Sequence, residues 1–89
     1  MANKHVALPV YGIEITFNPK NKGGGVISSD LHSHLVDAGD SEQMQAQCEA
    51  AADALESLIL AHAVSGLDIA SDSYVNGVKT AVEAIANNL

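Results

Sequence analysis

Apolar and polar side chains alternate over residues 11–17, with Tyr11, Ile13, Ile15 and Phe17 on one side and Gly12, Glu14 and Thr16 on the other. This period of two is the signature of a half-buried strand. Pro9 cannot donate to a ladder, so residues 4–8 are expected either to extend that strand along an edge or to form a separate short strand, with irregular backbone at 9–12. Residues 18–25 read Asn-Pro-Lys-Asn-Lys-Gly-Gly-Gly and supply a hairpin loop before Val26 and Ile27. Strands are thus expected near 4–17 and 24–30, with a third candidate over 32–37.

The period then changes. Asp40 is placed to cap a helix, with Gln43 three residues on, and the pattern runs to about Ser65. Stepping by 100° puts Met44, Cys48, Ala51, Ala52, Leu55, Leu58, Ile59 and His62 in one broad stripe, the expected core face. Glu42, Glu49, Asp53 and Glu56 fall within about 60° of one another on the far side, an acidic ridge. Leu60 and Val64 also fall on the ridge side, so the last two turns are apolar all round and need a cover. Gly66 suits the left-handed position that ends a helix, and Leu67 the hydrophobic contact that accompanies it. A second helix beginning near 71–73 carries Tyr74, Val75, Val78, Ala81, Val82, Ile85 and Leu89 at three- and four-residue spacings, with Asp72 at its positive end. That helix is the expected cover, and Gly77 within it suggests close approach to the alanine-rich first helix.

These elements predict one α+β domain over residues 1–89. A small antiparallel sheet of two or three strands is covered on one face by an antiparallel pair of helices, about 41–65 and 72–87.

Charge narrows the functional classes. The chain carries 11 acidic residues against four lysines and no arginine, a formal net charge of −7. No basic side chain lies between Gly23 and Val78, and there are only three aromatic residues outside histidine, so a nucleic-acid partner is not expected. The longest mostly apolar run, residues 58–64, is too short to cross a bilayer. Cys48 is the only cysteine and has no partner for an intrachain disulfide; with no secretory leader pattern, a reducing, cytoplasmic setting is expected.

Sites for chemistry are sparse. The triple glycine lacks the Gly-Lys-Ser/Thr ending of a phosphate loop, and no nucleophile elbow or zinc-protease pattern occurs. Cys48 and His62 stand about 21 Å apart on one continuous helix and cannot act as thiolate and base within the chain. Both are read as packing residues, His62 with its ring bonded to a carbonyl. The best metal candidate is Asp30-Leu31-His32-Ser33-His34, because two histidines two apart on a strand share a face; Asp30, Asp37 or His5 could supply a third ligand. No catalytic residue or cofactor is expected.

Two resemblances complete the reading. The order Gly-Gly-Gly-Val-Ile-Ser-Ser-Asp-Leu, a second short segment, Gly39-Asp40-Ser41-Glu42 and then a helix with Ala46, Ala50 and Ala54 resembles HicB-type antitoxins over less than half of the chain. Where that family has a Pro-Asp-Leu-Pro-Gly-like turn, Ser29 here precedes Asp30-Leu31, and His32-Ser33 follow. The resemblance implies a partial ribonuclease-H-like sheet and a small basic toxin as partner. The second half, from Leu60-Ala61-His62 through Tyr74-Val75-Asn76-Gly77, is similar to small proteins encoded by phages and prophages. The expectation is a non-enzymatic protein-interaction module that self-associates as a homodimer or other homo-oligomer. Its contact residues would be Glu42, Glu49, Asp53, Glu56, Leu60 and Val64. The alternatives are an antitoxin or inhibitor that masks a basic protein with the acidic ridge, and a metal-binding protein using His32 and His34.

Overall fold

The computed structural model describes residues 3–18, 20 and 25–88. Three strands, β1 (Lys4–Leu8), β2 (Ile13–Phe17) and β3 (Val26–Ser28), form an antiparallel sheet in the order β1-β2-β3. Three helices follow: α1 (Leu31–Val36), α2 (Glu42–Val64) and α3 (Asp72–Asn87). The α+β class holds, with one helix more than the periodicity predicts. Among the described residues no helix is long and apolar enough to cross a membrane.

Register separates the faces of the sheet. Leu8 pairs with Ile13 and Val6 with Ile15, which also faces Ile27 of β3. Leu8, Ile13, Ile15 and Phe17 are buried in one cluster with Leu31, Leu35, Cys48, Ala52, Ile59, Ala63, Ile69, Val78 and Val82 from the helical half. On the opposite face His5, Ala7, Glu14, Val26 and Ser28 are exposed, and His5 Nδ1 lies 3.0 Å from Thr16 Oγ1.

Pro9 ends β1, and the next residues make a tight reversal. Tyr11 (φ 53°) and Gly12 (φ 57°) are both left-handed, a conformation glycine adopts freely and tyrosine does not. Tyr11 therefore belongs to the turn rather than to the strand whose alternation it continues. Its carbonyl accepts the Asp30 N–H at 2.9 Å, and its ring packs against His34, tilted by 45° at 4.6 Å between centroids, which ties the turn to the start of α1. The hairpin expected over 18–25 is confirmed by β2–β3 pairing, while Pro19 and residues 21–24 lie outside the described set.

Of residues 32–37, read as a possible strand, 32–36 belong to α1 instead and Asp37 is its C-cap. Leu31 and Leu35, four apart, are both fully buried while Ser33 between them is exposed; on a strand all three would share one face, and on a helix they do not. The cap of α2 is Ser41, not Asp40: its side chain accepts the Met44 N–H at 3.2 Å, and its extended backbone (φ −141°, ψ 164°) is that of an N-cap. Ser71 caps α3 through the Tyr74 N–H in the same way. At the other end of α2, Gly66 (φ 92°) takes the left-handed position. The Gly66 N–H bonds the Ala63 carbonyl and the Leu67 N–H that of His62, the paired bonds of a Schellman ending. Leu67 itself is 51% exposed, whereas Ile69, two residues on, is fully buried in the core.

Two packing expectations fail. A methyl group at Gly77 would meet nothing within 4 Å, so the glycine marks open space rather than close helix approach. The cover over Leu60 comes from the sheet: a methyl at Gly25 would lie 2.7 Å from Leu60 Cδ1 and 3.2 Å from Phe17 Cβ. Val64 is half-buried against the core.

Candidate functional site

Helix α2 carries two unlike surfaces, a polar cluster against α1 and an apolar groove against α3.

The cluster begins with residues spaced for one helical face. Asp53 and Glu56, three apart on α2, stand beside the first turn of α1, where His32 is the second residue. His32 Nε2 lies 2.7 Å from Asp53 Oδ1 and Nδ1 lies 3.3 Å from Glu56 Oε1, so each ring nitrogen faces a carboxylate. The Ser29 hydroxyl donates to the other oxygen of Glu56. Glu56 is mostly buried, 13% exposed at its side chain, while Asp53 is 71% exposed. The hydrogen bond with Asp53 raises the His32 pKa above the ordinary histidine value; partial burial opposes this, and the charges of Glu56, Asp53 and Glu49 reinforce it.

This arrangement pairs the hydroxyl with one carboxylate and the imidazole with two. Ser29 donates to Glu56, no hydrogen bond joins it to His32 among the described residues, and both ring nitrogens already face carboxylates. Its effect on stability has a definite sign. A histidine whose folded pKa is raised stabilises the fold fully below its unfolded pKa of about 6.5, and that contribution disappears as pH rises through the higher folded value. Urea unfolding of wild type and His32→Gln from about pH 5.5 to about pH 8.5 is expected to show a stability difference favouring wild type at the acid end and shrinking with rising pH. A difference that stays flat or widens with pH would contradict this placement of the proton.

The sequence candidates for metal ligation are dispersed. In a helix, residues two apart are turned about 200° from each other, so His32 and His34 cannot hold one ion together as they would on a strand. His34 goes to Tyr11, Asp30 lies beside Gly12 with its carboxylate 3.7 Å from a methyl placed there, and His5 is on the open face of the sheet. Asp37 is the exposed C-cap of α1. The acidic ridge is divided too: Glu42 and Glu49 are exposed, while Glu56 turns inward to Ser29 and His32.

Cys48 is fully buried. His62 bonds the Tyr74 hydroxyl at 2.7 Å rather than a carbonyl, with the rings edge to face at 5.5 Å, and burial raises the Tyr74 pKa. This pair stands in the wall of the second surface, an open groove of about 260 Å³ between α2 and α3, lined by Leu55, Leu58, His62, Tyr74, Gly77 and Val78 together with Ser73 and Ala81. Leu58, expected in the core stripe, is 51% exposed there. None of the lining residues is acidic or a lysine.

Sequence reasoning misses Ser29 and the pairing of His32 with Asp53 and Glu56. The available signal was Asp53-x-x-Glu56 on one helix; the four-residue spacing of Leu31 and Leu35 fits a strand as well as a helix and does not by itself place His32. No family model, curated protein or solved structure matches the chain.

Proposed function

We propose that this chain is a non-enzymatic interaction module whose groove between α2 and α3 receives the same groove of a second copy. The observation that carries the reading is an uncharged surface with a knob and a hole on it. Leu58 stands half out of the groove, and Gly77 leaves unfilled space in its wall. A surface that holds both is complementary to itself under a two-fold axis, the commonest symmetry of homo-oligomers.

Electrostatics supports the choice of occupant. Each copy carries −7, so two copies can approach only where carboxylates are absent. On α2 the groove residues Leu55, Leu58 and His62 lie within about 60° of one another, and Glu42, Glu49 and Asp53 lie on roughly the opposite side of the helix. Docking at the groove keeps the acidic side chains of both copies apart.

Analytical ultracentrifugation at tens of micromolar protein tests the reading. Wild type is expected at twice 9.2 kDa and Leu58→Glu at the monomer mass. Added salt should strengthen the dimer by screening like charges, whereas capture of a basic protein by the acidic ridge would weaken. A wild-type monomer at every concentration, or a dimer that Leu58→Glu leaves intact, would remove the groove from the account.

A further inference from the structure

We infer that His32, Asp53 and Glu56 form a binding site for a divalent transition metal of the zinc class. This site lies on the α1 side of α2 and does not depend on the groove or on self-association.

One ligand atom from each of the three residues can be chosen so that all lie within 4.8 Å of one another. In a tetrahedral zinc site, bonds of about 2.0 to 2.1 Å place ligand atoms roughly 3.3 Å apart. His32 Nδ1 and Glu56 Oε1, 3.3 Å apart, already stand at that spacing, whereas Asp53 Oδ1 faces the other ring nitrogen at 2.7 Å and has to swing from Nε2 to the Nδ1 side to complete the set. Asp53 can make that movement because it is mostly exposed. Glu56 is already at ligand spacing from Nδ1, and its second oxygen is held by the Ser29 hydroxyl, the kind of outer contact that orients a metal-binding carboxylate.

The donor set selects the cation. One imidazole nitrogen and two carboxylate oxygens suit zinc, which commonly takes three protein ligands and leaves the fourth position to water. Calcium prefers six to eight oxygen ligands, and magnesium near-ideal octahedral oxygen coordination with retained waters, so neither suits this set. The partly exposed ring of His32 and the exposed Asp53 leave the cluster open to solvent for entry and for the fourth ligand. A bound ion would clamp α1 onto the middle of α2.

The test is calorimetric titration of untagged, chelator-treated protein with zinc chloride alone. One saturable site per chain is expected, weakened at least about tenfold in both His32→Gln and Asp53→Asn and by about tenfold in Ser29→Ala, which removes only the orienting contact. His34→Ala and His5→Ala should bind as wild type does. Asp53→Asn changes an exposed residue and keeps the test valid even if His32→Gln unfolds. No saturable binding by wild type, undiminished binding by Asp53→Asn, or equal loss in His34→Ala would overturn the assignment.

Discussion

Truncating Leu35 to alanine is expected to lower the unfolding free energy by about 2 to 5 kcal/mol, the range for removing a large aliphatic side chain from a packed core. Leu35 is fully buried and, with Leu31, forms the apolar side by which the six-residue helix α1 joins the core. A helix of that length has almost no stability of its own, so its position depends on those two side chains. At 0.05 to 0.15 kcal/mol per residue, 89 residues hold a total of about 4 to 13 kcal/mol, and this one change removes a large part of it. Thermal midpoints should fall by about 4 to 8 °C for each kcal/mol lost. Leu67→Ala is the matched control: the residue is half-exposed beyond the end of α2, and its truncation should stay within about 0.5 kcal/mol. Equal losses in the two variants, measured by urea unfolding, would mean that Leu35 is not the anchor of α1.

That contrast also shows where sequence patterns carry information and where they stop. The strand alternation at Ile13, Ile15 and Phe17 was legible because one face of the sheet is buried and the other is wet, which leaves a period-two record in the residue types. The end of α2 and the start of α3 were legible because Gly66 and Ser71 act through local backbone bonds that do not depend on the rest of the fold, while at the start of α2 the adjacent Asp40 and Ser41 both suit a cap and only the structure selects Ser41. Helix α1 was obscured by its length: over six residues Leu31, Ser33 and Leu35 fit a period of two as well as Leu31 and Leu35 fit a helical spacing, and burial decides between them. Leu58 was assigned to the core because a helical wheel gives the direction of a side chain but not whether a neighbour reaches it. The polar cluster depends on a contact between His32 and residues 21 and 24 positions later, which no local pattern records. The two unlike faces of α2 are thus separated by what packs on them, α1 on one side and an incompletely closed α3 on the other.

Within that cluster, Glu56→Ala is expected to cost about 1.5 to 3 kcal/mol, the range for a hydrogen bond to a charged group whose partners are left without it. Glu56 accepts from Ser29 through one oxygen and faces His32 through the other, and it is far less exposed than its neighbour Asp53. Its removal leaves a part-buried hydroxyl without its acceptor and an imidazolium without its inner carboxylate. Asp53→Ala removes an equally charged group from the same ring, but its exposed position is solvated in either state, so its cost should be no more than about 1 kcal/mol. Urea unfolding near pH 6, where His32 is protonated, separates the two because the charge deleted is the same and only burial and the Ser29 contact differ. A double-mutant cycle of Ser29→Ala with Glu56→Ala should return a coupling above about 0.5 kcal/mol, as for residues in one hydrogen-bonded network. Equal costs for Glu56→Ala and Asp53→Ala, with no coupling to Ser29, would reduce the cluster to a surface ion pair. The predicted inequality instead makes Glu56 the fixed member of the cluster and Asp53 the movable one, the division of roles that a metal entering from solvent requires.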